Sequence, residues 1–123
     1  RHAGAALEVL PETLKISADP ELLAQAPLNL LRNAFRVTAD VTNPVVVLAI
    51  TRQPGSRFRI EVRDNGPGIP AERREDVFLP FYTTHKGGSG VGLSSARQVA
   101  LAHGGSISAG DSPEGGASIV LMI

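Results

Sequence analysis

Cysteine is absent from all 123 residues. That excludes disulfides, thiolate metal sites and cysteine nucleophiles, and it fits a reducing compartment. Net charge is lacking too: twelve Lys and Arg balance twelve Asp and Glu. With no overall field of either sign, the chain has no general attraction for nucleic acid or an anionic membrane. No apolar run approaches the roughly 20 residues that a membrane-spanning helix needs, and no signal-peptide pattern opens the chain. It begins at Arg1 rather than Met, so a fragment of something longer is the expectation. The length suits one domain with one core.

What the chain has in excess is thirteen glycines and nine prolines. They cluster at Gly66-Pro67-Gly68-Ile69-Pro70, at Gly87-Gly88-Ser89-Gly90-Val91-Gly92, at Gly104-Gly105 and from Gly110 to Gly116. Glycines bracketed by periodic segments suggest shaped turns rather than linkers. Residues 6–10 and 14–17 read as short strands around Pro11-Glu12-Thr13. Asp19-Pro20 then opens a helix, since Asp suits the N-cap and Pro the first helical position. It should run to about Thr38, with Leu23, Leu30, Ala34 and Val37 at helical spacing. Pro27 removes one backbone hydrogen bond and predicts a kink, at a cost of ~3 kcal/mol if nothing compensates. Residues 45–52 are β-branched and apolar, a buried strand. Phe58, Ile60 and Val62 alternate with charged residues, so residues 57–63 form a half-buried strand hairpinned to it. A charged helical turn at 70–76 and a loop at 77–90 follow. A helix over 92–103 stops at Gly104-Gly105, and strands at 106–109 and 117–123 close the chain. These elements predict an α/β (α+β) two-layer sandwich, a mixed, mostly antiparallel sheet with helices on one face.

Three segments carry candidate chemistry. Asn29 and Asn33 sit four apart, on one helix face. They are either capping and surface amides or oxygen donors to a hard cation. Asp64-Asn65-Gly66-Pro67-Gly68-Ile69 follows a strand directly. It is either a polar turn or a site where Asp64 accepts from an exocyclic amine while Gly66 and Gly68 let the backbone pass close to a flat ring. Gly66 to Ala71 also fits the dinucleotide fingerprint, without the βαβ unit which that fold requires. Gly88-Ser89-Gly90-Val91-Gly92-Leu93 runs into a helix, whose first amides make an anion site. No Lys-Ser or Lys-Thr follows, which excludes a Walker-type loop.

Taken in order, these segments resemble the motifs of the GHKL superfamily, which comprises gyrase, heat-shock chaperone ATPases, histidine kinases and MutL. Leu28-Asn29-Leu30-Leu31-Arg32-Asn33-Ala34 resembles the N box and Asp64 to Ile69 the first glycine box. Val77-Phe78-Leu79-Pro80-Phe81-Tyr82-Thr83-Thr84 is similar to the F box, Gly88 to Leu93 to the second glycine box, and Gly115-Gly116-Ala117 to the glycine motif before the last strand. Hydrolytic members usually carry Glu where this chain has Asn29; Asn at both N-box positions, with Pro-Phe-Tyr-Thr-Thr, resembles the histidine-kinase branch. Three departures stand out: Pro27 lies inside the N-box helix, the F box continues Thr84-His85-Lys86, with Lys one place late, and Val91 replaces the usual Leu or Met.

The resemblance implies a Bergerat ATP-binding fold that holds ATP and Mg²⁺. It implies a cytoplasmic catalytic domain of a sensor kinase that donates the γ-phosphate to a histidine on a separate dimerisation domain. A response-regulator receiver domain acts downstream in that pathway. Neither nucleic acid nor direct membrane contact is expected. The implied nucleotide contacts are Asn29, Asn33, Arg36, Asp64, Gly66, Gly68, Ile69, Thr84, Lys86, Ser89, Gly90, Val91, Gly92 and Leu93, with Asn33 on the metal and no acid or base in this chain. His2, His85 and His103 lack the surroundings of the phosphoacceptor; His103 reads as a helix-end packing residue. Residues 83–89 are expected to act as a nucleotide-gated lid. The alternatives are an ATPase clamp of the same superfamily and a degenerate docking module.

Overall fold

The backbone ladders and side-chain packing come from a computed structural model that describes residues 6–10, 20–55, 57–80, 82 and 92–123, of which 6–10 and 20–24 are described in backbone alone. The first long element is α1 (Pro20–Val37). It carries on through Pro27, so the missing rung of the ladder does not end the helix. Ala26, Leu30 and Ala34, spaced by four, are essentially inaccessible to solvent and form its inner stripe. Thr38 finishes the helix: its hydroxyl donates to the Ala34 carbonyl at 2.8 Å, alongside its own amide at 3.2 Å.

Strand β1 (Ala6–Leu10) precedes α1, and β2 (Val45–Gln53) and β3 (Arg57–Asp64) follow it. The last two pair antiparallel from Val46 opposite Asp64 to Gln53 opposite Arg57. Gly55 turns the chain between them at φ +76°, a conformation that favours glycine. A second helix, α2 (Gly92–Ala102), leads to β4 (Ser106–Asp111) and β5 (Ala117–Met122). β5 lies antiparallel between β3 and β4, while β1 runs parallel to β2, giving the order β1-β2-β3-β5-β4. The mixed, mostly antiparallel sheet is therefore as expected. The second short strand, read at residues 14–17, lies outside the described residues.

One face of the sheet is apolar. Val46, Ile60, Val62, Ile119 and Leu121 meet the α1 stripe and Ala96, Val99 and Ala100 of α2 in a single core. Burying side chains of this size contributes about 1.5–3 kcal/mol each, so this seam between sheet and helices holds the domain. The other face carries Arg59, Glu61, Arg63 and Ser118, linked by ion pairs and hydrogen bonds. α2 ends as Gly104 turns at φ +69° and the Gly105 amide donates back to Ala100. Only glycine fits at 105, because a Cβ there would lie 1.7 Å from the Met122 carbonyl oxygen. His103 Nδ1 sits 2.7 Å from the Val99 carbonyl oxygen, the packing role expected of it.

The segment after β3 corrects one expectation. Val77 and Phe78 are not loop: they belong to a 3-10 turn, Asp76–Phe78, that follows a first one at Ala71–Arg73. Phe78 is buried in the core beside α2, and that tertiary contact, invisible in a local period, orders the turn.

Candidate functional site

Alternation along β3 places Phe58, Ile60, Val62 and then Asp64 on the core face. A carboxylate thus occupies an apolar-face position, only 1% exposed. Its Oδ1 accepts from the Gly66 amide at 2.8 Å and the Ala117 amide at 3.1 Å, and its carbonyl accepts from the Gly116 amide at 3.1 Å. Among the described residues Oδ2 accepts no hydrogen bond. Since no buried side-chain polar atom among the described residues lacks a partner, the slight solvent access that Asp64 keeps falls on Oδ2. Burial pushes the Asp64 carboxyl above its ordinary value, and the two amide donors only partly oppose that.

Glycines permit this packing. A Cβ at Gly116 would lie 2.2 Å from Asp64 Oδ1 and 2.5 Å from the Gly66 nitrogen. Gly66 itself packs against the end of α1, where a Cβ would stand 3.0 Å from the Val37 carbonyl oxygen. Gly68 has φ +77° and backs onto Gly116. Asn65, beside the carboxylate, serves the sheet instead. Its Oδ1 accepts from the Val45 amide at 2.8 Å and its Nδ2 donates to the Asn43 carbonyl, clamping the start of β2. Ile69 packs against the core, and its carbonyl accepts from Arg74 Nε at 3.1 Å, while Arg74 also pairs with Asp111 at 2.7 Å.

Asn29, Asn33 and Val37 form one row along α1, at spacing four. Because Val37 touches Gly66, the row leads to the Asp64 turn, and Asn33 lies one helical turn, ~5.4 Å along α1, before Val37. Both Asn side chains and Arg36 are half-buried. No hydrogen bond or ion pair holds these three side chains among the described residues. Gly92 opens α2, where a Cβ would meet nothing within 4 Å, so packing against described residues does not require glycine there. Leu93 packs on the core. The expected contacts Thr84, Lys86, Ser89, Gly90 and Val91, and the lid read at residues 83–89, lie outside the described residues. Sequence reasoning gave no role to Gly116 and Ala117 in holding Asp64; the glycine pair before the last strand was the available signal.

The fold and this site define a class: a two-layer α/β domain with an inward carboxylate in a glycine-lined turn, beside a helix bearing two amides. The family described as "Histidine kinase-, DNA gyrase B-, and HSP90-like ATPase" matches residues 18–123, and the chain belongs to it. Sensor protein KdpD of Rathayibacter rathayi is 37% identical over 112 residues, which are 88% of this chain and 13% of that protein. The chain therefore spans about an eighth of that relative's length. The mycobacterial sensor histidine kinase MprB superposes with a TM-score of 0.88 at 28% identity, covering 99% of this chain and 83% of that one. Full-length ShkA, solved in complex with AMPPNP, gives 0.80 at 30% identity, over 96% of this chain and 24% of that one. The chain is an ATP-binding catalytic domain of the sensor-histidine-kinase type. Among the described residues no helix is long and apolar enough to cross a membrane.

Proposed function

We propose that this domain binds ATP with Mg²⁺ and presents the γ-phosphate to a histidine on a separate dimerisation domain, from which a response regulator is then charged. The observation that carries the reading is Asp64. Its Oδ1 is fixed by two amides and its Oδ2 is left for a donor. An exocyclic amine supplies such a donor, and Gly66 and Gly68, with Ile69 alongside, leave the backbone low enough for a flat base to approach.

Asn33 suits a cation that takes one or two protein oxygens and completes its shell with phosphates and water, as Mg²⁺ does. Asn29 supports it one turn earlier, and Arg36 adds positive charge. The first amides of α2, from Gly92 and Leu93, suit phosphate oxygens. Thr84, Lys86, Ser89, Gly90 and Val91 would extend that cradle. Asn29 is an amide without useful basicity, so this chain has no base there to activate water, which favours transfer over hydrolysis. The acid–base chemistry of transfer then belongs to the histidine-bearing domain.

Titration calorimetry with Mg²⁺-ATP tests the binding. Addition of a cognate histidine-bearing domain, with radiolabelled ATP, tests the transfer. Acid-labile label should appear on the added domain and not on this chain. Steady phosphate release by this chain alone would instead identify a hydrolase.

A further inference from the structure

We infer that Arg63, Glu114 and Ser112 form a latch that positions the base-reading carboxylate of Asp64. The inference deepens the reading of Asp64 just given and rests on it.

Arg63 and Asp64 are consecutive on β3 and point to opposite faces. Asp64 enters the site, while Arg63 lies on the polar face and grips Glu114 with two hydrogen bonds, Nε to Oε1 at 2.9 Å and Nη2 to Oε2 at 3.2 Å. A planar guanidinium that binds a carboxylate through two donors fixes orientation as well as distance. Glu114 Oε1 also accepts from the Ser112 hydroxyl at 2.7 Å, and that hydroxyl accepts from the Glu114 amide at 3.0 Å. Ser112 is itself buried, and its backbone amide donates to the Gly116 carbonyl at 3.0 Å. The Gly115 amide closes the turn onto the Ser112 carbonyl at 2.9 Å.

The turn between β4 and β5 is thus tied to β3 from the polar side. Just beyond it are the two amides, of Gly116 and Ala117, that hold Asp64 from the site side. Gly116 packs so closely against the carboxylate that the turn cannot shift without moving Asp64. The Glu114 charge is also one of the smaller causes raising the Asp64 carboxyl, so the turn and the carboxylate are coupled in charge as well as in packing. None of the three latch residues is among the implied nucleotide contacts; they act through Asp64 and are positioning residues.

The test compares ATP with inosine triphosphate, which has the same phosphates and ribose but no exocyclic amine. Affinities are measured by calorimetry for Glu114→Gln, Arg63→Met and Ser112→Ala, with circular dichroism and thermal unfolding to verify the fold. Loosening the latch should weaken ATP binding about tenfold, the size of one well-made charged hydrogen bond, and inosine triphosphate binding less than about twofold. In an Asp64→Asn background, Glu114→Gln should cause no further loss. If Glu114→Gln does not fold, Ser112→Ala, which removes one hydroxyl, carries the same comparison. Equal losses for both nucleotides, or unchanged ATP affinity in the folded variants, overturn the latch. If Asp64→Asn alone leaves ATP affinity unchanged, the base-reading role falls and the latch with it. If Asp64→Asn weakens ATP and the latch variants do not, only the latch falls.

Discussion

The two ends of the candidate site are built in opposite ways. At the Asp64 end nearly every polar atom has a partner in the protein, and the glycines leave no spare room: a Cβ at Gly116 would fall 2.2 Å from the carboxylate. At the Asn33 end the amides and Arg36 have no hydrogen bond among the described residues. On the proposed reading, one end is shaped before a ligand arrives and the other is completed by it. Recognition of a flat, neutral base needs exact placement, because a short hydrogen bond to one oxygen is its main polar discrimination. Holding a hydrated cation and phosphates needs charge and available oxygens, which tolerate adjustment.

The largest effect that could break this contrast comes from Gly116→Ala. Overpacking of a rigid site costs about 1–3 kcal/mol of stability, and here the displaced group is the carboxylate itself, so ATP binding should be lost as well. Gly105→Ala is the control. Its Cβ would meet the Met122 carbonyl oxygen at 1.7 Å, at the far end of β5. It should destabilise the domain as much, yet leave the ATP affinity of the remaining folded fraction nearly unchanged. Chemical denaturation and calorimetry on both variants separate the two. Similar ATP affinities in both would remove the claim that Gly116 serves the site.

Next in size is Asp64→Asn. It keeps an oxygen for the Gly66 and Ala117 amides but offers the ligand an amide in place of a charged acceptor. ATP binding should weaken by about 1–3 kcal/mol, with little change in unfolding temperature. Smaller again is Asn33→Ala. With no hydrogen bond to lose among the described residues, stability should stay within ~0.5 kcal/mol. The Mg²⁺-dependent increment in ATP affinity should drop, while the affinity measured in EDTA stays the same. An equal drop with and without Mg²⁺ would place Asn33 on the nucleotide instead of the metal.

Why one end was easier to read than the other follows from where the information lies. The strand pattern Phe58, Ile60, Val62, Asp64 and the Asn29–Asn33 spacing are local periods, and the structure keeps both. Helix ends were legible for the same reason: Pro20 opens α1 and Gly104-Gly105 closes α2, each acting on its own neighbours. The grip of Gly116 and Ala117 on Asp64 joins residues more than fifty apart in the chain, and no local pattern encodes it. The parallel pairing of β1 with β2 is likewise non-local, since α1 intervenes. Phe78 read as loop because what orders it is its packing in the core beside α2, which no local period shows. Asn65, quoted inside the glycine motif, turned out to clamp β2; motif membership did not distinguish it from its neighbour Asp64.

The smallest expected effect is a pH dependence, and its two parts have opposite signs. Burial raises the Asp64 carboxyl above its ordinary value in the folded protein. The folded state therefore holds this proton more tightly than the unfolded chain. That contribution to stability is fully present below the ordinary carboxylate pKa and is lost as pH rises through the folded value. Ligand binding runs the other way. An amine donor pointed at Oδ2 interacts more strongly with the ionised carboxylate, so ATP affinity should fall as pH drops through the raised value. The nucleotide's own titration is common to every variant and cancels in a difference. Calorimetric ATP affinities for the parent chain and Asp64→Asn, measured from the carboxylate range up to neutrality, should therefore converge at the acid end and separate toward neutral pH. Inosine triphosphate, which presents a carbonyl oxygen in place of the amine, should show no parent advantage growing toward neutral pH. A constant gap between parent and variant across the whole range would mean that the carboxylate's charge contributes nothing to reading the base. The preshaped end of the site would then act by shape alone.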